Sequence, residues 1–346
     1  RVSNLRDPTL IALFLLGISS LCSGQTLVEA IEQTLLTNPN IQSSAYNVDA
    51  ADALRRQAVA GYLPSIDLVL ARGLEKSDNT TTRASGDASR NFDRFERSIT
   101  LNQMLYDGFS TAAFVKQQEA VLSATTQRLA TTLENTALRS AQAYLEVLRR
   151  DQVVALAQVN LAQHDETLLK IEERFESGVG TKVDVVQTKG RRAQSKSSVL
   201  LSEKDAQNGR VEFYRVVGES PRELSLPVRP KGLPETLEQA VQLAFRNNPQ
   251  VKAAQFDLEA SQSARKQLLG GYHPRVDLAL GATRNDDMDG SPGANDDETA
   301  VIKMSYNLYR GGADRAKMKE AIARINGAEQ ALIALRRSIT QDASIL

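Results

Sequence analysis

Thr26–Arg72 is written a second time at Thr236–Ala282, without a gap and at a constant offset of 210 residues. Thr26, Leu27, Ala30, Asn38, Pro39, Arg55, Gln57, Gly61, Tyr62, Pro64, Asp67, Leu68 and Leu70 all fall on identical residues in the second copy. A duplication held in register this way fixes the architecture before any local reading: the chain has two related halves. Solenoid repeats run about 20–50 residues, far shorter than this offset. The halves are residues 25–217 and 236–346, joined by a Pro-rich linker, 218–235, and preceded by a leader, 1–24.

In each copy a short helix stops before Asn-Pro and a second helix follows. Tyr-x-Pro (Tyr62 and Pro64, Tyr272 and Pro274) then breaks the helical pattern, and apolar residues begin to alternate. Ile66, Leu68 and Leu70 share one face, as do Phe95, Ile99, Leu101 and Leu105. In the second half the pattern is Val276, Leu278 and Leu280, then Ile302, Met304, Tyr306 and Leu308. Two strand pairs are expected, at about 62–106 and about 272–309, with a polar loop at Lys76–Asn91. Each alternating segment is about 10–12 residues, the length that crosses a bilayer as a tilted strand. Half-buried hairpins of soluble proteins share that pattern; a secretory leader and the want of any other sheet partner favour the membrane.

That leader has a basic start (Arg1, Arg6), an apolar run at Leu10–Ile18 and a small-residue exit at Ser19–Gly24. Its apolar run is about a dozen residues, short of the roughly 20 that span a bilayer as a helix. Cleavage near Gly24 would remove Cys22, the sole cysteine; bulky Leu21 argues against lipidation there. No other apolar run has the length of a membrane helix, so any crossing falls to the strands.

After each hairpin a turn, Leu105-Tyr106-Asp107-Gly108 or Leu308-Tyr309-Arg310-Gly311, opens a long helix. Phe109–Ser177 contains no Pro or Gly, which allows about 100 Å of helix at 1.5 Å per residue. Val154, Ala157, Leu161, His164, Leu168, Ile171 and Phe175 form a heptad seam, with His164 read as a packed imidazole. Ser177-Gly178-Val179-Gly180 stops the helix, and Thr181 with Asp184 restarts it in a capping-box pattern. The returning helix runs to about Val217 on an expected seam of Val186, Gly190, Ala193, Ser197 and Leu200. A matching helix starts at Gly312, with Ala321, Ile325, Ala328, Leu332 and Leu335 on its apolar face. Repeat symmetry calls for about 70 further residues, so the sequence reads as a piece of a longer chain.

The 42 basic and 42 acidic residues give no footprint for nucleic acid. His164 and His273 lie in different elements and no Ser or Cys nucleophile has a neighbouring base, so no enzyme and no cofactor are expected. Without a phosphate-cradling Gly-Lys loop the chain cannot power transport. One stretch approximates a calcium loop: Asn285-x-Asp287-x-Asp289-Gly290, then Asp296. Its first ligand is Asn, its last is Asp rather than Glu, and Pro292 lies inside; a solvated acidic surface loop is the reading preferred over a metal site. Four amphipathic strands cannot close a barrel, and an open edge is intolerable in lipid, so closure calls for further copies.

The chain resembles the TolC-like outer membrane efflux family. The resemblance rests on the two TL-xx-A…NP…Y-x-P modules, the two strand–helix turns (Asp107, Gly108, Gly311) and the run Arg174-Phe175-Glu-Ser-Gly178-Val-Gly180-Thr-Lys-Val-Asp184-Val185. Tyr214–Pro221 is most similar to members serving type I protein secretion. The resemblance implies a mainly helical fold with membrane β-structure. It would be a homotrimer whose protomers each give four strands to a twelve-stranded outer-membrane barrel and long helices to a periplasmic α-barrel. It implies a passive exit duct in a Gram-negative outer membrane, engaged by an adaptor protein and an inner-membrane ABC or proton-driven transporter. Gly178, Val179, Gly180 and Thr181 would form the adaptor-binding tip. Asp184 would join the entrance-closing network, although Val183 stands where the family has Thr. The rival reading is a soluble periplasmic coiled-coil adaptor without a pore.

Overall fold

A computed structural model describes residues 24–86, 91–230 and 232–345. Residues 1–23 of the leader lie outside the described residues. The duplication is carried into the fold from the first helix cap to the strand starts. Helices α1 (Leu27–Thr37) and α2 (Pro39–Ala60) precede β1 (Ser65–Lys76). Helices α6 (Leu237–Asn247) and α7 (Pro249–Gly270) precede β3 (Arg275–Met288), and α2, α7, β1 and β3 each begin at the same offset. The identical residues explain this. Thr26 and Thr236 cap α1 and α6, accepting from the backbone N–H three residues on (3.2 and 3.3 Å). Asn38 and Asn248 end one helix and accept from the backbone of the next, with Pro at its first position. The Gly-Tyr turns are the same pair of i→i−3 bonds, Tyr62 to Val59 and Tyr272 to Leu269.

The remaining elements are a short α3 (Thr80–Ser85), β2 (Asn91–Tyr106), α4 (Ser110–Glu176), α5 (Lys182–Val217), β4 (Ser291–Ser305) and α8 (Ala313–Ile345). Two corrections concern the loops. The Lys76–Asn91 connection carries helix α3, because Asn79 supplies an N-cap to Thr81 and Thr82. The acidic stretch is not a loop but the end of a long β3–β4 hairpin. Asp289 and Gly290 both have positive φ (52° and 75°), the signature of a two-residue type I′ turn, for which Asp-Gly is a preferred pair. The strands also stop short of the expected ends: β1 starts at Ser65 and β4 ends at Ser305, leaving Tyr306 and Leu308 beyond it.

The chain divides into two compact units: residues up to Ser43 with Thr132–Leu233, and Ser44–Thr131 with Pro234–Leu346. In the first, α1, α4 and α5 close a core of Ala30, Ala143, Tyr144, Val147, Phe213, Val216 and Val217. The Tyr144 hydroxyl reaches the carbonyls of Gln25 (2.7 Å) and Ser225 (2.6 Å), tying the start of the first repeat and the linker to α4. In the second, β1–β2–β3–β4 form one antiparallel sheet, each repeat giving a hairpin and β2–β3 joining them. Among the described residues no helix is long and apolar enough to cross a membrane.

Candidate functional site

The register places the alternating residues side by side. Ile66 pairs with Leu101, Leu101 with Leu280, and Leu280 with Ala300. The next row is Leu68, Ile99, Ala282 and Glu298; on the other side lie Leu278 with Ile302 and Val276 with Met304. One sheet face is therefore mainly apolar across both repeats, interrupted by Gln103 and Glu298, and Ile66, Leu68, Leu70, Ile302 and Met304 are exposed on it. A bulge between Met104 and Tyr106 brings Tyr106 opposite Val276. The opposite face carries Asp67, Thr100, Gly281 and Thr299 in one row. Strands of 12–16 residues extend about 40–55 Å at roughly 3.4 Å per residue. Tilted near 45°, they exceed the ~25 Å apolar band of an outer-membrane barrel.

Towards the hairpin ends the apolar face changes character. Arg72 pairs with Asp93 (2.6 Å), Arg97 with Asp286 (2.6 Å) and Arg284 with Asp296 (3.4 Å), all on that same face. This belt of ion pairs crosses all four strands and ends the apolar band. Strands β1 and β4 are the edges, each with one side lacking a strand partner in the chain. The acidic residues of the calcium-like stretch have other partners here. Asp296 is drawn to Arg284 from the middle of β4, Asp287 accepts from Gly293 N (2.7 Å), and no metal-holding acidic group forms among the described residues.

At the other end of the sheet the two strand–helix turns differ. Asp107 caps α4, accepting from Thr111 N (2.7 Å) and its hydroxyl. Gly108 (φ 67°) is so close-packed that a Cβ would lie 2.6 Å from His273 Cβ and 2.8 Å from Gly270 O. The second turn has Arg310 paired with Asp314 (3.4 Å), and Gly311 (φ 61°) has open space around it.

The long helical hairpin belongs wholly to α4 and α5. The α4 seam is as read: Val154, Ala157, Leu161, His164, Leu168 and Ile171 are the half-buried positions, with Phe175 exposed at the tip. The α5 seam is not. Val185, Ser195, Val199, Ala206, Gly209 and Phe213 are buried, whereas Val186 and Leu200 are exposed and a Cβ at Gly190 would meet open space. The packed seam lies one to two residues earlier than expected. Polar rungs hold this rotation: Asn160 accepts from Ser195 Oγ (2.9 Å), Glu172 pairs with Lys189 (2.8 Å), Asp165 with Arg192 and Asp151 with Arg210 (2.7 Å). Every charged rung puts the acid on α4 and the base on α5.

The tip is a tight αL stop. Gly178 has φ 79°, and the N–H groups of Val179 and Gly180 both donate to Arg174 O (3.0 and 2.9 Å). A Cβ at Gly180 would sit 3.0 Å from Phe175 N. Thr181 then caps α5 in a reciprocal box, accepting from Asp184 N (3.2 Å) while its own N–H and hydroxyl donate to the Asp184 carboxylate (3.3 and 2.7 Å). Asp184 is thus engaged by its own helix start. Val179, Val183 and Val186 are exposed along this stretch. Of the sequence-derived positions, Gly178–Asp184 come together here. Tyr62, Pro64, Tyr272 and Pro274 mark the starts of β1 and β3, in the unit that also holds Asp107, Gly108 and Gly311. The ion-pair belt was missed by sequence reasoning; its signal was the run of charged residues at apolar parity beyond Leu70, Ile99 and Ala282.

The family model described as "Outer membrane efflux protein" matches residues 30–219 and 240–344. Outer membrane efflux protein BepC of Brucella suis biovar 1 (strain 1330) is 27% identical over 301 residues, covering 86% of this chain and 63% of that protein. Outer membrane protein TolC of Escherichia coli (strain K12) is 24% identical, with 96% and 69% covered. Alkaline protease secretion protein AprF of Pseudomonas aeruginosa is 23% identical, with 86% and 64% covered. The chain thus spans less than two thirds of the length of BepC and AprF. Among solved structures, a membrane protein from Pseudomonas aeruginosa superposes with a TM-score of 0.78 at 18% identity, covering 90% of this chain and 73% of that one. That likeness establishes a shared fold.

Proposed function

The chain belongs to the outer membrane efflux protein family, and from that premise we propose that it is the outer-membrane channel of a tripartite export system. The observation that carries the reading is the sheet: one face mainly apolar up to a belt of ion pairs, two edges without a strand partner among the described residues, and a helix of 67 residues following it in the chain. An open edge costs several kcal/mol per unsatisfied group in lipid. Three copies, each adding four strands, give a closed barrel of twelve. A soluble adaptor would leave the face and both edges without a partner. The polar face then lines the duct, and α4 and α5 extend it into the periplasm.

Partners dock at the far end of the hairpin. Gly178–Thr181 and the exposed Val179, Val183 and Val186 offer a periplasmic adaptor a turn with exposed apolar side chains. The energy comes from an inner-membrane transporter, and docking shifts the tip between closed and open populations. Similarity of Tyr214–Pro221 to type I secretion members, together with the likeness to the alkaline protease secretion protein AprF, supports protein export as a cargo class beside small-molecule efflux. The test is single-channel recording of the full-length protein in planar bilayers, with its mass measured in detergent. Discrete conductance steps from a trimeric species are expected. A trimer that inserts and passes no current refutes the duct.

A further inference from the structure

The connection between β1 and β2 does more than turn the chain. Asn79 caps α3 with its side-chain oxygen and uses its amide nitrogen to donate to Asp289 O (2.9 Å) at the tip of the other hairpin. From the opposite direction Gly290 N donates to Glu75 Oε1 (3.0 Å). Thr82 is completely buried, and a Cβ at Gly290 would lie 2.4 Å from its methyl group, so the approach requires glycine there. Helix α3 therefore bridges the ends of the two hairpins.

Parity shows which face it covers. At this end the polar-face residues are the covered ones: Phe92 is 3% exposed, and Glu75 and Arg94 are partly buried, bridged at 3.4 Å. On the apolar-parity face Leu74 is 83% exposed and Asp93 is exposed. The helix lies over the same face that carries Thr100, Gly281 and Thr299 further down. Loops that left the mouth free would expose Phe92 instead.

We propose that α3 is a fixed, inward-folded cap that narrows the outer mouth of the duct and sets a size limit on what leaves. The inference rests on the duct reading above, because only a water-filled interior gives the polar face a mouth. Closure of the mouth is set by Asn79, Thr82 and Gly290, separately from the tip of the α4–α5 hairpin. Three copies would place three such caps around one exit.

The test uses the full-length protein in whole cells with Thr100→Cys on the polar face, labelled from outside by two membrane-impermeant maleimides, one small and one carrying a long polyethylene glycol chain. Protein without the added cysteine gives the background. The small reagent is expected to label Thr100→Cys at the same rate alone and combined with Asn79→Ala or Gly290→Val. The large reagent is expected to label either combination at least tenfold faster than Thr100→Cys alone. Asn79→Ala leaves the type I′ turn intact, so it serves where Gly290→Val fails to assemble, and small-reagent labelling reports assembly. Equal large-reagent rates in an assembled Asn79→Ala protein would overturn the cap and leave the duct standing. Failure of the small reagent to reach Thr100→Cys would instead remove the duct, and the cap with it.

Discussion

Replacing Tyr144 with Phe isolates one hydroxyl in the core of the first unit. Tyr144 is completely buried, its ring 6.5 Å from that of Phe213, so the Phe variant keeps the packing and opens no cavity. The hydroxyl has one proton and two carbonyls within 2.7 Å, those of Gln25 and Ser225. Gln25 O retains the N–H of Ser225 (3.2 Å). The carbonyl of Ser225 is the group set to lose its partner. Leaving such an acceptor unsatisfied costs about 1–2 kcal/mol, and about 1.4 kcal/mol corresponds to a tenfold change in a local opening equilibrium. Tyr144→Ala adds a cavity and should cost about 3–5 kcal/mol. The assay is native-state proteolysis of the folded protein in detergent, following cleavage within 218–230, with global unfolding measured in parallel. Tyr144→Phe should raise cleavage there about tenfold and leave cleavage at the α4–α5 tip unchanged. The reasoning is refuted if the linker is cleaved no faster, or if Phe and Ala variants behave alike.

Thr181→Ala removes the capping box and should cost about 1 kcal/mol; amide exchange across Lys182–Val185 should accelerate about fivefold, with Thr181→Ser close to the parent. Gly178→Pro cannot adopt φ 79° and loses the N–H bonded to Phe175 O, so export should fall while trimers still reach the outer membrane; normal export would sink the tip reading. Gly108→Ala should reduce assembled protein severely, whereas Gly311→Ala should cost only the ~1–2 kcal/mol of a left-handed residue, a contrast read by yield in the outer membrane. Arg149 and then Arg150 hold Glu146 down to about 2, so its contribution is complete above the ordinary value of 4.5 and is lost as pH falls from there towards 2. The carboxylate is over a third exposed and its pairs are one helical turn apart, which limits the effect to well under 1 kcal/mol. Glu146→Gln should therefore melt slightly lower at pH 7 and level with the parent near pH 2, and an equal gap at both would contradict the assignment.

The duplicated modules were legible because their caps and breakers are local: Thr26, Asn38 and Pro39 act on the backbone within a few residues, and so do Thr236, Asn248 and Pro249. The α4 seam was equally legible, being the apolar stripe of a helix with large side chains. The α5 seam was not, because that helix carries two stripes of small and apolar residues at heptad spacing. Val186, Gly190, Ala193 and Ser197 fit the pattern as well as Val185, Ser195 and Val199 do. Only rungs supplied by α4, such as Asn160 and Glu172, decide between them. The acidic hairpin was hidden for another reason. Six acidic residues between Asp286 and Glu298 look like a solvated loop, yet pairing with β3 holds them in strand, and the Asp289-Gly290 turn was the overlooked sign. The contacts of α3 join residues more than 200 positions apart, Asn79 to Asp289 and Glu75 to Gly290, which no local pattern carries.

The two strand–helix turns began as copies of one another and have since traded chemistry. Asp107 with Thr111 became Arg310 with Asp314, and one glycine is wedged against its neighbours where the other stands clear. A ring of six identical half-length chains would have to make every joint alike. Fusing two halves frees each joint to be tuned without the other, so in the proposed ring of three such chains close-packed joints would alternate with open ones. Any twist passing through these joints would then be borne unequally, by every second one.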